Sequence, residues 1–273
     1  MSSSKHADKV ADNWDREWKR EQKEKGPSEG TAAGLLSRLK GLVGGSALTR
    51  KCSSILRNES GGDVKGVRLL EAGCGTSNIA VVLAGEGAHC CQFDISWAAL
   101  EISKEVFDKR ALEGRLTQGD LFKMPFKDKS FDIVWNVGVL EHLTEDLQDL
   151  ALKEMIRVCK DSGKVVTLNP YARGYIYRMG KWLAERFGRW SIGYEVPIYT
   201  LRPNVERVDK RLAVEEYSFG FLLQLLVFKH LIRGFKPLLY AYAAFYEMIN
   251  LVLSPLNRLP GFLLVTVVRR KAG

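Results

Sequence analysis

The sequence is short of everything that would tie it to disulfide, zinc or membrane-spanning chemistry. Its five cysteines, Cys52, Cys74, Cys90, Cys91 and Cys159, show no CxxC spacing. They fall largely in expected strands and helices, which leaves neither a disulfide framework nor a metal site. A reducing cytoplasm is the expected setting. No apolar run reaches the ~18 residues that a spanning helix needs, which argues against an integral membrane protein. The opening MSSSKHADKVADNWDREWKREQKEKG mixes acids with bases and has no apolar core of signal-peptide length. Repetitive and collagen-like tracts are missing too.

What is present is an ordinary globular composition with a basic excess. The 273 residues are 46% hydrophobic and 27% charged, enough for one large domain or a domain with a sizeable insertion. A net charge of +9 points to an anionic partner, either nucleic acid or a lipid surface, or else to a solvated basic face.

The chain is organised around VRLLEAGCGTSN, residues 67–78. Branched aliphatics run into Glu71 and then into a turn carrying Gly73 and Gly75, the pattern of a buried strand feeding a glycine loop. Glycines let backbone approach a ligand closely, and a following helix presents its N–H groups. A tight turn with no ligand is the plain alternative. A dinucleotide fingerprint wants a third glycine where this chain has Asn78, and its phosphates would be repelled by Glu71 at the strand mouth. A ligand with an ammonium and a sulfonium would be attracted instead. S-adenosylmethionine has both.

EAGCGTS resembles the first motif of the class I S-adenosylmethionine-dependent methyltransferases, an acid and then three glycines at alternate positions, with Ser77 in place of the last. MPFKDKSFDIV and VLEHL resemble the subgroup that includes quinone-biosynthesis methyltransferases. The resemblance implies an α/β fold: a Rossmann-like seven-stranded sheet, six strands parallel and the last antiparallel, with helices on both faces and helical insertions. It is strong over about residues 60–170. Alternating strands and helices, with the motif residues at the carboxyl ends of strands, agree with it.

Residues 1–60 read as an N-terminal arm and packing helices. Trp14 and Trp18 lie one helical turn apart and either staple the arm to the body or form a lid over the cofactor. TAAGLLSRLKGLVGG reads as a second packing helix. Residues 61–273 read as the methyltransferase domain, with a substrate cover at about 171–203 and an apolar helical insertion at 219–256. The cover interleaves aromatics with Arg and Lys, a pattern that could also serve nucleic acid. The second insertion is either a packed helical hairpin or an amphipathic element lying on a membrane.

Cofactor contacts are expected from Glu71, Gly73, Cys74 and Gly75 in the loop, and from Asp94 with Ile95 at the end of the second strand. Asp94 falls about 20 residues beyond the loop, where an acid meets a ribose, and capping the next helix is its alternative. The family resemblance adds Asp120 and Leu121 at the adenine, and Asn136 at the end of the fourth strand beside the methionine end. His142 is the candidate catalytic base, with packing or capping as its alternative. Glu141, which could instead bond backbone N–H groups of its own loop, and Tyr171 are candidate substrate contacts. No metal is expected. The implied activity is methyl transfer to a small, apolar or lipid-linked acceptor, with peripheral membrane contact and no nucleic-acid partner. A cofactor-binding scaffold without transfer, or an RNA methyltransferase, is the alternative.

Overall fold

The computed structural model describes residues 14–20, 47–190, 194–231 and 259–271, with 248–249, 252–253 and 255–256. The expected helix over TAAGLLSRLKGLVGG and half of the insertion at 219–256 lie outside the described residues.

Seven strands form one sheet: β1 (Arg68–Ala72), β2 (His89–Asp94), β3 (Arg115–Gln118), β4 (Phe131–Val137), β5 (Cys159–Pro170), β6 (Leu212–Phe219) and β7 (Leu263–Arg270). Their order is β3-β2-β1-β4-β5-β7-β6. The β1–β2, β1–β4 and β2–β3 pairs are parallel, and β7 runs antiparallel to both β5 and β6. The expected mixed sheet with one reversed final strand is therefore observed. Helices are α1 (Ala47–Glu59), α2 (Ala80–Gly85), α3 (Trp97–Asp108), α4 (Glu145–Val158), α5 (Tyr175–Arg186) and α6 (Arg202–Val208). Among the described residues no helix is long and apolar enough to cross a membrane.

The chain divides into two compact units, Met1–Asn136 with Lys153–Lys164, and Val137–Leu152 with Val165–Gly273. In the first, Leu69, Leu70 and Ala72 of β1 are buried, as expected of a central parallel strand covered on both faces. Arg157 ties the loop after β3 by donating to Glu154, to Asp128 and to the carbonyls of Met124 and Phe126. The fifth strand starts at Cys159, directly after α4, where the sequence suggests a start after Lys160. Backbone bonds from Lys129 and Ser130 to the Arg157 and Val158 carbonyls, and the Lys160–Asp132 ion pair, draw the chain into the sheet early. Gly163 permits it, since a Cβ there would come 2.5 Å from the Asp132 carbonyl oxygen.

In the second unit, β5, β7 and β6 carry the core residues Leu168, Val265, Val267 and Leu212. Helix α5 packs a small residue against the 3-10 turn Leu222–His230, where a Cβ on Gly180 would come 2.3 Å from Val227. Asn204 and Arg207 of α6 bond Asp149.

Candidate active site

Gly73 and Gly75 take positive φ, +84° and +49°, as the turn after β1 requires. Their amides do not point outward. The N–H groups of Gly73 and Cys74 both donate to the Phe93 carbonyl, at 2.7 and 3.0 Å. Gly75 N–H donates to Asp94 Oδ2 at 3.0 Å. Loop donors that would bind a phosphate are thus spent on β2.

Buried polar atoms stand at the end of β1. Glu71 Oε2 and Ser77 Oγ are buried, with no hydrogen-bond partner among the described residues beyond the Ser77–Glu71 pair itself. Asn136 Oδ1 is buried and unpartnered too, one residue past the β1 partner Trp135 and so on the other face of the sheet. Burial lifts the Glu71 carboxyl well above its usual range, with Asp94 adding to the rise and the Ser77 hydroxyl opposing it. Buried unpaired acceptors are costly, and a donor carrying positive charge relieves the cost. An ammonium or sulfonium suits this site and a phosphate does not. The residues fit S-adenosylmethionine.

Asp94 is 8% exposed. Besides the Gly75 amide, it accepts the Ser96 N–H at 2.9 Å on Oδ1. The Ile95 N–H also bonds the carboxylate, so of its roughly four acceptor sites one remains for a hydroxyl. Burial raises the carboxyl, and the backbone bonds hold the rise back. The capping alternative fails, because Ser96 is the N-cap of α3 and accepts from Ala99 N–H. Ile95 lies half-buried beside it and accepts from Gln118. Asp120 spends one oxygen on its own turn, accepting the Phe122 N–H. Leu121 is half-buried. Asn136 lies inside β4, fully buried, with Nδ2 3.6 Å from Met155 Sδ. Cys74 is buried, and its thiol is pushed well up by that burial.

The first unit also brings the N-terminal segment onto this loop. Residues 14–20 are helical, and Trp14 and Trp18 stack with ring centroids 6.4 Å apart. Asp15 accepts from the Ser96 hydroxyl and from the Ala98 N–H. The Trp18 ring lies 2.9 Å from where a Gly75 Cβ would stand. Trp18 therefore meets the motif loop itself, and the two alternatives for the arm, a staple and a lid, both fit these contacts.

In the second unit, the 3-10 turn Leu140–His142 runs beside residues 194–196. Val196 N–H donates to the Glu141 carbonyl at 2.6 Å, and His142 Nδ1 lies 2.8 Å from the Tyr194 carbonyl. A carbonyl can only accept, so Nδ1 carries the proton and Nε2 the lone pair of the neutral ring. Burial lowers the His142 pKa, with Lys181 assisting and the Tyr194 carbonyl opposing. Glu141 is 2% exposed. Burial pushes its carboxyl up to about 8, with Glu195 adding to the rise, and its Oε2 has no partner among the described residues. A backbone N–H of its own turn bonds the carboxyl and holds the rise back, in line with the loop-bonding alternative. Glu195 is buried and accepts from the Tyr177 hydroxyl on both oxygens, at 3.1 and 3.0 Å. Tyr171 is half-buried, bridged to Ile198 with its N–H on the Phe262 carbonyl.

Tyr177, Lys181 and Glu195 are the residues that sequence reasoning missed. The available signal was compositional: Glu195 is one of two acids among six cations over residues 171–203.

Residues 70–167 match the family model described as a methyltransferase domain. A protein of Encephalitozoon cuniculi provisionally named a methyltransferase is 31% identical over 144 residues, 51% of this chain and 60% of its own length. The demethylmenaquinone methyltransferase of Staphylococcus aureus is 36% identical over 108 residues, 38% of this chain and 43% of its own. The chain spans about half the length of the relatives it matches. The magnesium protoporphyrin IX methyltransferase of Synechocystis, solved with bound SAH, shares the fold at a TM-score of 0.54 and 15% identity, covering 79% of this chain and 94% of that one. The matched segment thus contains the glycine loop, Asp94, Asp120 and Asn136 on a sheet of this strand order, and it is residues 70–167 that are similar to a methyltransferase domain.

Proposed function

We propose that the protein transfers the methyl group of S-adenosylmethionine to a small acceptor, apolar or lipid-linked in character. The observation that carries this reading is the buried Glu71 carboxyl, with no partner but Ser77, at the strand end that feeds a loop whose Gly73, Cys74 and Gly75 amides are already spent. Asp94 holds the ribose, Glu71 faces the positive charge of the methionine end, and Asp120 with Leu121 serves the adenine. Bound S-adenosylmethionine supplies a methyl group already activated by the sulfonium. The protein's contribution is then alignment and water exclusion, a large source of rate.

His142 takes the acceptor's proton at Nε2 when the acceptor is a hydroxyl or phenol. The lowered pKa keeps the ring neutral and able to accept near pH 7. Glu141, protonated at that pH, donates a hydrogen bond to the acceptor, with Tyr171 beside it as a further contact. The apolar character of the acceptor is supported by the aliphatic and aromatic runs of residues 219–256. Five buried free thiols suit a reducing cytoplasm.

Calorimetry with S-adenosylmethionine and S-adenosylhomocysteine tests the reading. Asp94→Ala loses charge-assisted hydrogen bonds worth roughly 1.5–3 kcal/mol, so affinity should fall about tenfold or more with the fold intact by circular dichroism. Unchanged affinity in that variant would sink the assignment. Binding without transfer to any component of a cell extract, followed by mass spectrometry with isotope-labelled cofactor, would favour a non-catalytic scaffold.

A further inference from the structure

Helix α5 has two unlike faces. Its inner face holds Tyr177, Gly180, Lys181 and Ala184, all buried, and its first amides are fixed by Gln224, whose Oε1 accepts from Ile176 N–H at 3.0 Å and Tyr177 N–H at 3.2 Å. The helix is therefore anchored, and what it presents on the other side is set by that anchoring. Tyr175, Met179 and Trp182, spaced i, i+4, i+7, share one face of the helix, and Phe187 follows just past the helix end. They are 70%, 52%, 60% and 66% exposed. Soluble surfaces carry single exposed apolar residues routinely, but a continuous stripe marks a contact.

The charges around the stripe say what kind of contact. Arg173 and Arg186 are exposed at its two ends. The acid nearby, Glu185, is engaged with Lys181. Three aromatics of roughly 150–250 Å² each, about two-thirds exposed, offer on the order of 400 Å². That is about half of the ~800 Å² per partner that a stable protein dimer buries. Tyr and Trp prefer the headgroup level of a bilayer, where one end of the ring is apolar and the other wet. Basic residues beside an apolar helix face are the recognition chemistry of anionic lipid.

We propose that α5 docks the protein on an anionic lipid surface, with Tyr175, Met179, Trp182 and Phe187 entering the headgroup layer and Arg173 and Arg186 meeting lipid phosphates. This deepens the reading of an apolar acceptor and rests on it for its use, since docking brings the protein to where such a molecule dissolves. Its test involves no methyl transfer.

Flotation of the full chain at low salt, with phosphatidylcholine vesicles containing or lacking phosphatidylserine, decides it. The protein should float with the anionic vesicles and stay down with the neutral ones. Trp182→Asp with Phe187→Asp should cut the bound fraction about tenfold, as should Arg173→Glu with Arg186→Glu. The latter pair changes only exposed positions and guards against a folding artefact. S-adenosylmethionine affinity should be the same in all three proteins, so loss of cofactor binding would count against the proposed activity and not against docking. Wild-type protein that fails to float, or an aspartate variant that floats like wild type, overturns the proposal. So does a dimer in light scattering that Trp182→Asp converts to monomer, because the stripe would then be covered by a second copy.

Discussion

Replacing Glu141 by glutamine should remove a pH dependence of stability that the wild-type protein carries. The carboxyl is 2% exposed, and burial together with Glu195 raises it from the ordinary 4.5 to about 8. Below pH 4.5 the group is protonated in both folded and unfolded chains and contributes no difference. Between 4.5 and about 8 the unfolded chain releases its proton while the folded one keeps it, so the folded state binds more protons and stability falls as pH rises. The slope is about 1.4 kcal/mol per pH unit for one group. Over the whole window it accumulates to about 5 kcal/mol, and by pH 7 to about 3 kcal/mol. Glutamine has the shape of the protonated acid and does not titrate. His142, Glu195 and Glu71 titrate in both proteins, so the difference between the two isolates Glu141. Urea denaturation at acidic, neutral and alkaline pH should find the two equally stable near pH 4.5, with the variant increasingly the more stable above it. Curves that stay parallel from pH 4.5 to 8 would mean that the carboxyl is solvated or paired, and its role as a neutral donor would fall with that.

His142→Ala should lower turnover by the ~10²–10⁴ expected of a lost general base, with cofactor affinity nearly unchanged; turnover within a factor of a few of wild type would reduce His142 to a scaffold residue, its ring bonded to Tyr194. Trp18→Ala removes the indole lying on Gly75, and stopped-flow displacement should show S-adenosylhomocysteine leaving several-fold faster, an effect on the order of 1 kcal/mol. An unaltered dissociation rate would mean that the segment only packs.

The first unit was readable from sequence because its signals are local. Aliphatic runs, the glycines at 73 and 75 and the distance to Asp94 each lie within one strand and its turn, and the observed strands β1 and β2 end where those residues say. Asp120, which only the family resemblance supplied, has one oxygen taken up by its own turn. The second unit was less readable because its polar cluster is made by a return of the chain. Glu195 meets Tyr177, and residues 194–196 bond Glu141 and His142, across some fifty positions of sequence. No periodicity announces such a meeting. The inward turn of the loop amides was also hidden, since a glycine-rich sequence is the same whether its N–H groups face a ligand or a neighbouring strand.

Ser77 is the position where this chain departs from the resembled motif, and the departure has a measurable consequence. Its φ is +50°, left-handed backbone that costs a non-glycine residue about 1–2 kcal/mol. Glycine would relieve that strain but lose roughly 0.5–1 kcal/mol through its freer unfolded chain, so Ser77→Gly should change stability little. What the serine adds is its hydroxyl, which restrains the rise of the buried Glu71 carboxyl. Without it the carboxyl climbs further, its neutral form is favoured, and the ammonium of the ligand loses counter-charge. Affinity for S-adenosylhomocysteine should therefore be weaker in Ser77→Gly, and the gap should narrow as rising pH favours the ionised carboxyl in both proteins. Calorimetry over a pH series reads this directly. A gap that is constant across that range would assign the serine to loop geometry alone, and a variant that binds more tightly at every pH would show that backbone strain, and not the hydroxyl, governs the site.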